Sequence, residues 1–128
     1  MNERDEIVTD AAPRGTGAYS QAIRAGDFVF ISGQGPLDPS TLEVLGTTIE
    51  EQTEQTLRNL RAIAEAAGGS LADVVKVSAF LSSIDLFPGF NETYERIFDT
   101  LPRPARTTTG AELRGILVEI DAVLHLPR

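Results

Sequence analysis

The stretch from Thr48 to Ala67 constrains this chain more than any other. Leu57, Leu60, Ile63, Ala64 and Ala67 recur at three- and four-residue spacing, and Glu50, Glu51, Glu54, Arg58, Arg61 and Glu65 are left for solvent. That is the pattern of a helix with one buried face. Glu54 and Arg58 form an i,i+4 pair in the favourable orientation, and Gly68-Gly69 stops the helix. A helix with one apolar stripe needs a second apolar layer to cover it, and the remaining sequence supplies strands.

Very short strand propensity lies at Glu6-Ile7-Val8, followed by the turn-rich segment Ala11 to Gly17. Tyr19–Arg24 and Phe28–Ser32 read as strands joined through Ala25-Gly26-Asp27. Phe28-Val29-Phe30-Ile31 is apolar on both faces, which predicts a central strand. Leu37 to Gly46 reads as a loop. Val74–Ser82 alternates, and Phe87, Phe90, Tyr94 and Ile97 mark a second helix over Leu86–Thr100, broken by Leu101-Pro102-Arg103-Pro104. The last strands are expected over Arg106–Leu113 and Leu117–Leu126, with Arg114-Gly115 as a tight turn between them. The order predicts one α+β domain over residues 1–128, with two helices on one face of a mixed sheet.

Composition then removes several function classes. The 128 residues contain no cysteine, so disulfides, thiolate chemistry and cysteine-bound zinc are excluded. No apolar run is long enough to span a membrane, and Met1 to Glu6 is too charged for a secretory leader, so a cytoplasmic protein is expected. The net charge of −8 opposes binding to nucleic acid and anionic membranes. His125 is the lone histidine, which leaves no paired-histidine centre; it reads as a surface or interface residue. Chemistry must come from Arg, Glu, Asp, Tyr, Ser, Thr or backbone groups.

The candidates are few. Ser32-Gly33-Gln34-Gly35 closes the central strand with approachable N–H groups that suit an anion, or forms an ordinary two-glycine turn. Arg106 opens a strand after Pro104-Ala105, where a guanidinium fork can hold a carboxylate, or simply faces solvent. Glu119 lies within an apolar strand, as a general base would, or as a solvated acid beside Asp121. Tyr19 and Asn91 are weaker signals.

Taken in order, Gly17-Ala18-Tyr19-Ser20-Gln21-Ala22, Ile31-Ser32-Gly33-Gln34, Gln52 to Leu60, Val74-Val75-Lys76-Val77, Phe90 to Tyr94, Pro104-Ala105-Arg106 and Val118-Glu119-Ile120 resemble the RidA (YjgF-type) reactive-intermediate deaminase family over nearly the full length. The resemblance implies a chorismate-mutase-like fold assembled as a homotrimer with sites between subunits. It implies hydrolysis of 2-imino or enamine acids, such as 2-aminoacrylate and 2-aminocrotonate, to 2-keto acids and ammonia. No cofactor or metal is implied. Arg106 would bind the substrate carboxylate, with backbone N–H groups near Gly33 and Thr108, and Glu119 would handle the attacking water. Tyr19, Ser32 and Asn91 would line the pocket. Ala18 stands where many members have proline, Thr108 where the best-known members have cysteine, and the expected hairpin from Arg106 to Glu119 is shorter than usual. The competing readings are a non-catalytic carboxylate-binding module and a ribonuclease or translation inhibitor.

Overall fold

The computed structural model describes residues 3–128. In chain order it contains β1 (Arg4–Ile7), β2 (Ala22–Ala25), β3 (Phe28–Gln34), α1 (Ile49–Ala66), β4 (Val74–Leu81), α2 (Phe87–Ile97), β5 (Ala105–Gly110) and β6 (Val118–His125). The strands form one six-stranded sheet in the order β1-β2-β3-β6-β4-β5. Every neighbouring pair is antiparallel except β4 and β5, which run parallel. The mixed α+β architecture expected from the sequence is therefore present. Among the described residues, no helix is long and apolar enough to cross a membrane.

The long helix follows its sequence signals closely. Thr48 is the N-cap, its side chain accepting from the Glu51 N–H while the Glu51 carboxylate returns to the Thr48 N–H, a reciprocal capping box. At the other end Gly68 takes a φ of +94°, Gly69 N–H reaches Ala64 O at 2.9 Å and Gly68 N–H reaches Glu65 O at 2.9 Å. This pair of bonds satisfies carbonyls that the ended helix would otherwise leave open. Leu57, Leu60, Ile63 and Ala64 are buried against Val29 and Ile31 of β3, Val77, Ala79 and Leu81 of β4, and Val118, Ile120 and Leu124 of β6. Phe90 and Tyr94 bring α2 into the same core.

Two expectations need correction. The final strands are not a hairpin: β5 pairs with β4, and β6 lies on the other side of β4 between it and β3. The reason is composition. β6 has four buried residues alternating along its length, Val118, Ile120, Ala122 and Leu124, and takes an interior place in the sheet. β5, Ala105-Arg106-Thr107-Thr108-Thr109-Gly110, has none and goes to the edge. The connection from Ala111 to Leu117 therefore passes over the end of β4, tied by Ala111 N–H to Leu81 O and Ser82 N–H to Leu117 O. The second correction is that β2 begins at Ala22, not Tyr19. Gln21 is turned inward, where its amide donates to Thr9 O, Ala12 O and Pro13 O and accepts from Thr9 N–H. One buried side chain thus holds a loop that has no sheet partner of its own.

Two more buried amides act in the same way. Gln52 donates to Gly46 O and accepts from Leu117 N–H, joining the loops before α1 and β6. Asn59, 1% exposed, donates to Gly35 O at 3.0 Å and Leu37 O at 2.9 Å. Asn59→Leu keeps the side-chain size but leaves both carbonyls without their donor. The expected loss is about 2–4 kcal/mol, read as a lower urea midpoint at unchanged slope. A midpoint equal to the parent would show that water replaces the amide freely.

Candidate functional site

The pleat of the sheet divides the candidate residues into two groups. Register pairs Arg106 with Val77, and Glu119 with Phe80. Paired residues point to the same face, and Val77 and Phe80 are three apart on one strand, so Arg106 and Glu119 point to opposite faces. Arg106 and Thr108 share the face covered by helices. Glu119, Phe28, Phe30 and His125 share the face that the helices leave bare.

On the bare face, Tyr19, Ser32, Gly33 and Glu119 line a cleft of about 370 Å³. It exists because β3 bulges. Ile31 pairs with Ala122 and Gln34 with Ile120, so Ser32 and Gly33 together stand opposite Asp121 alone. Ser32 instead donates from its hydroxyl to Ser20 O at 2.6 Å and from its N–H to Gln21 O at 2.9 Å. These bonds anchor the segment that carries Tyr19. The Tyr19 ring is 54% exposed and rests against two glycines: a Cβ at Gly15 or Gly17 would lie 2.8 or 2.9 Å from ring atoms. Glu119 lies over Gly33 so closely that a Cβ there would overlap Oε2. Partial burial pushes the Glu119 carboxyl above the usual glutamate range, and the neighbouring Asp121 charge adds to the rise.

On the helix-covered face, Asn91, Tyr94, Glu95, Arg103, Pro104 and Arg106 line a second cleft of about 280 Å³. The Arg106 guanidinium carbon lies 4.6 Å from the Tyr94 ring centre, 5.4 Å from Phe90 and 5.5 Å from Phe87. Among the described residues no carboxylate stands within ion-pair distance of it. Arg103 is committed elsewhere, donating to Phe98 O and Glu95 O at the end of α2. Asn91 donates to Glu95 Oε1 at 3.1 Å, which holds that carboxylate along the helix. Two hydroxyls on this side, Tyr94 Oη and Thr108 Oγ1, are buried without a hydrogen-bond partner. Burial pushes the Tyr94 phenol up to about 12, against the pull of Arg106 and Arg103, so it is neutral across the working pH range.

The structure therefore brings Tyr19, Ser32, Gly33 and Glu119 together, gathers Asn91 and Arg106 separately, and leaves Thr108 beside Arg106 on β5. His125 stacks on Phe28 with ring centres 5.3 Å apart, remote from both clefts. The sequence reading passed over Gly15, Gly17 and the aromatic residues under Arg106. Tyr94 stands three residues after Asn91, one turn along the same helix face, a signal the spacing contained but assigned to the core. Among the described residues no group of three or more His, Asp or Glu converges as a metal set.

A family model described as Endoribonuclease L-PSP matches residues 9–126. A RutC family protein of Pyrococcus horikoshii is 43% identical over 95% of this chain and 98% of its own length. A protein of Dermatophagoides farinae named 2-iminobutanoate/2-iminopropanoate deaminase is 36% identical over 97% of this chain and 98% of its own. The crystal structure of RidA from an Antarctic Psychrobacter superposes with a TM-score of 0.90 at 40% identity, covering 95% of this chain and 99% of that one.

The raised Glu119 carboxyl is directly measurable. A side-chain NMR titration is expected to place its midpoint above that of ordinary glutamates, and Asp121→Asn to lower it only in part, because desolvation is the larger cause. A midpoint that falls to the ordinary value in Asp121→Asn would assign the whole effect to charge.

Proposed function

For this chain, which belongs to the endoribonuclease L-PSP (YjgF/RidA) family, we propose hydrolytic deamination of 2-imino and enamine acids to 2-keto acids and ammonia. The observation that carries the reading is the pairing of an uncompensated guanidinium with a desolvated carboxylate, each in its own cleft, on opposite sides of the sheet. The first suits a substrate carboxylate and the second a water nucleophile. The name borne by the Dermatophagoides relative supports the same chemistry.

The two clefts belong to different copies in this reading. Phe28 and Phe30 are 42% and 48% exposed on the bare face of the sheet, where a closed cyclic assembly would cover them. In a homotrimer each site would join Arg106, Asn91 and Thr108 of one protomer to Tyr19, Ser32, Gly33 and Glu119 of the next. The guanidinium fork fixes the carboxylate of the imino acid, and the backbone N–H of Thr108 and of Gly33 in the bulge aid it. The imine carbon next to the carboxylate is already electrophilic. Water adds to the carbon of the nitrogen-protonated imine as Glu119 takes one water proton and the C=N π electrons move to nitrogen, giving a neutral tetrahedral carbinolamine. The same carboxyl then returns that proton to nitrogen. The C–N bond breaks as the hydroxyl proton passes to the freed Glu119 carboxylate, and ammonia leaves with the carbinolamine oxygen now the keto oxygen; Glu119 passes the last proton to solvent. A carboxyl with a raised pKa is suited to these transfers. The substrate would be a small imino acid met in the cytoplasm, and neither nucleic acid nor membrane is a partner in this reading.

The ribonuclease reading suggested by the family description finds less support. Glu119 and His125 are six residues apart on one strand, about 20 Å, too far to serve one bond. The net charge of −8 adds long-range repulsion of a polyanion.

Two experiments test the proposal. Arg106→Ala is expected to lower kcat/KM for 2-aminoacrylate by about 30- to 5,000-fold and Glu119→Gln to lower kcat by about 10²- to 10⁴-fold, the latter with pyruvate affinity kept. Parent-like turnover in either variant would remove its role. Next, the two inactive variants are unfolded, mixed in equal amounts and refolded together. If each site spans two protomers, random assembly restores about a quarter of the parent activity, because about one site in four then holds both intact residues. No recovery in assembled mixtures would place both residues in one copy's site. Light scattering on the same samples should give three times the chain mass.

A further inference from the structure

We propose that Tyr94, with Phe87 and Phe90, is a positioning residue: the three rings form a shelf that holds the Arg106 guanidinium by its flat face and leaves its edge open to a carboxylate. This deepens the reading above and rests on it for the identity of the ligand. Three observations combine. The Arg106 guanidinium carbon lies 4.6, 5.4 and 5.5 Å from the ring centres of Tyr94, Phe90 and Phe87. Among the described residues it has no carboxylate partner. The rings are themselves fixed: Tyr94 packs on Phe90 at 5.6 Å and on Phe98 at 4.6 Å, and Phe87 packs on Phe90 at 6.3 Å.

The distinction lies in where a guanidinium bonds. Its N–H groups all point outward in the plane, and its two faces carry none. A counter-carboxylate would occupy the same in-plane fork that a substrate carboxylate needs, and it would have to be displaced at every binding event. A ring that meets the guanidinium face engages it through its negative quadrupole and uses none of the in-plane N–H groups. The charge is held in position while the fork remains free. Tyr94 stays a neutral phenol across the working pH range, so the shelf does not become an ionic competitor for Arg106. The sequence spacing explains why α2 can do this. Phe87, Phe90 and Tyr94 are three and four apart, so they form one stripe on the helix, and β5 lays Arg106 across it.

The test separates positioning from packing. Tyr94→Phe keeps the ring and should leave pyruvate affinity and KM for 2-aminoacrylate within about twofold of the parent. Tyr94→Leu removes the ring and should raise both by about 3- to 30-fold with kcat nearly unchanged, the signature of lost ground-state holding. A merely structural role would instead lower kcat through a smaller active fraction and leave KM in place. The Arg106 side-chain N–H resonances give an independent readout. They should lie upfield from ring currents in the parent and in Tyr94→Phe, and move downfield in Tyr94→Leu. If Tyr94→Leu does not fold, Phe87→Leu at the half-buried first turn of α2 replaces it, with the same split at smaller size. An unchanged KM and pyruvate Kd in the ring-removing variant that folds overturns the proposal, as does a parent that binds no pyruvate. A parent that binds pyruvate yet hydrolyses no imine overturns the deaminase reading alone, and the positioning role is then decided by pyruvate Kd across the same variants.

Discussion

The strict alternation of side chains along a β-strand governs this molecule. Because one sheet carries helices on only one side, residues of β3, β4 and β6 alternate between core and outer face, except at the register shifts after Ile31 in β3 and after Val74 in β4. Arg106 and Glu119, the residues with the most chemical capacity, fall on opposite sides by that rule. A helix turn or a loop could have bent one of them back, but both lie inside regular ladder. The chain thus holds two separate clefts, and the bulge at Ser32-Gly33 opens one of them.

What joins these parts is a set of buried amides rather than added apolar surface. Gln21, Gln52 and Asn59 are all at most 5% exposed, and each bonds to backbone groups of loops that no strand or helix would otherwise satisfy. Removing such a group costs more than its bond is worth, because the orphaned partners stay dry. The loops next to the Tyr19–Glu119 cleft therefore owe their shape to polar residues inside the core. Their positions next to the apolar stripe of α1 allow helix, sheet and loops to settle as one unit.

Much of this was legible in the sequence, and the failures have physical causes. Helix α1 was readable because capping, periodicity and the Gly68-Gly69 stop all agree. The segments of β4 and β6 were readable from alternation. The pairing of β5 was not, since a short connection containing Arg114-Gly115 suits a hairpin and only competition for the interior of the sheet decides otherwise. The start of β2 was misplaced because a buried glutamine looks like any polar residue until its loop partners are known. For the candidate site, the sequence offers the residues, and their grouping into two clefts comes only from the fold. Tyr19, Ser32, Gly33 and Glu119 share a cleft through register and a bulge, which strand patterns alone do not encode. The Arg106 shelf was hidden because an aromatic stripe on a helix ordinarily means packing.

The glycines under the first cleft carry a consequence for how this chain tolerates change. At positions 15, 17 and 33 the space a methyl group would need is filled by the Tyr19 ring or by the Glu119 carboxylate. Each obstacle is the outer part of a partly exposed side chain that can swing away, so the backbone has little to lose. Selection for folding, solubility or heat resistance would pass alanine at these positions, while selection for the proposed hydrolysis would reject it. Libraries enriched only for robustness would therefore drift toward well-behaved, inert descendants, and would do so through three residues that have no side chain to draw notice.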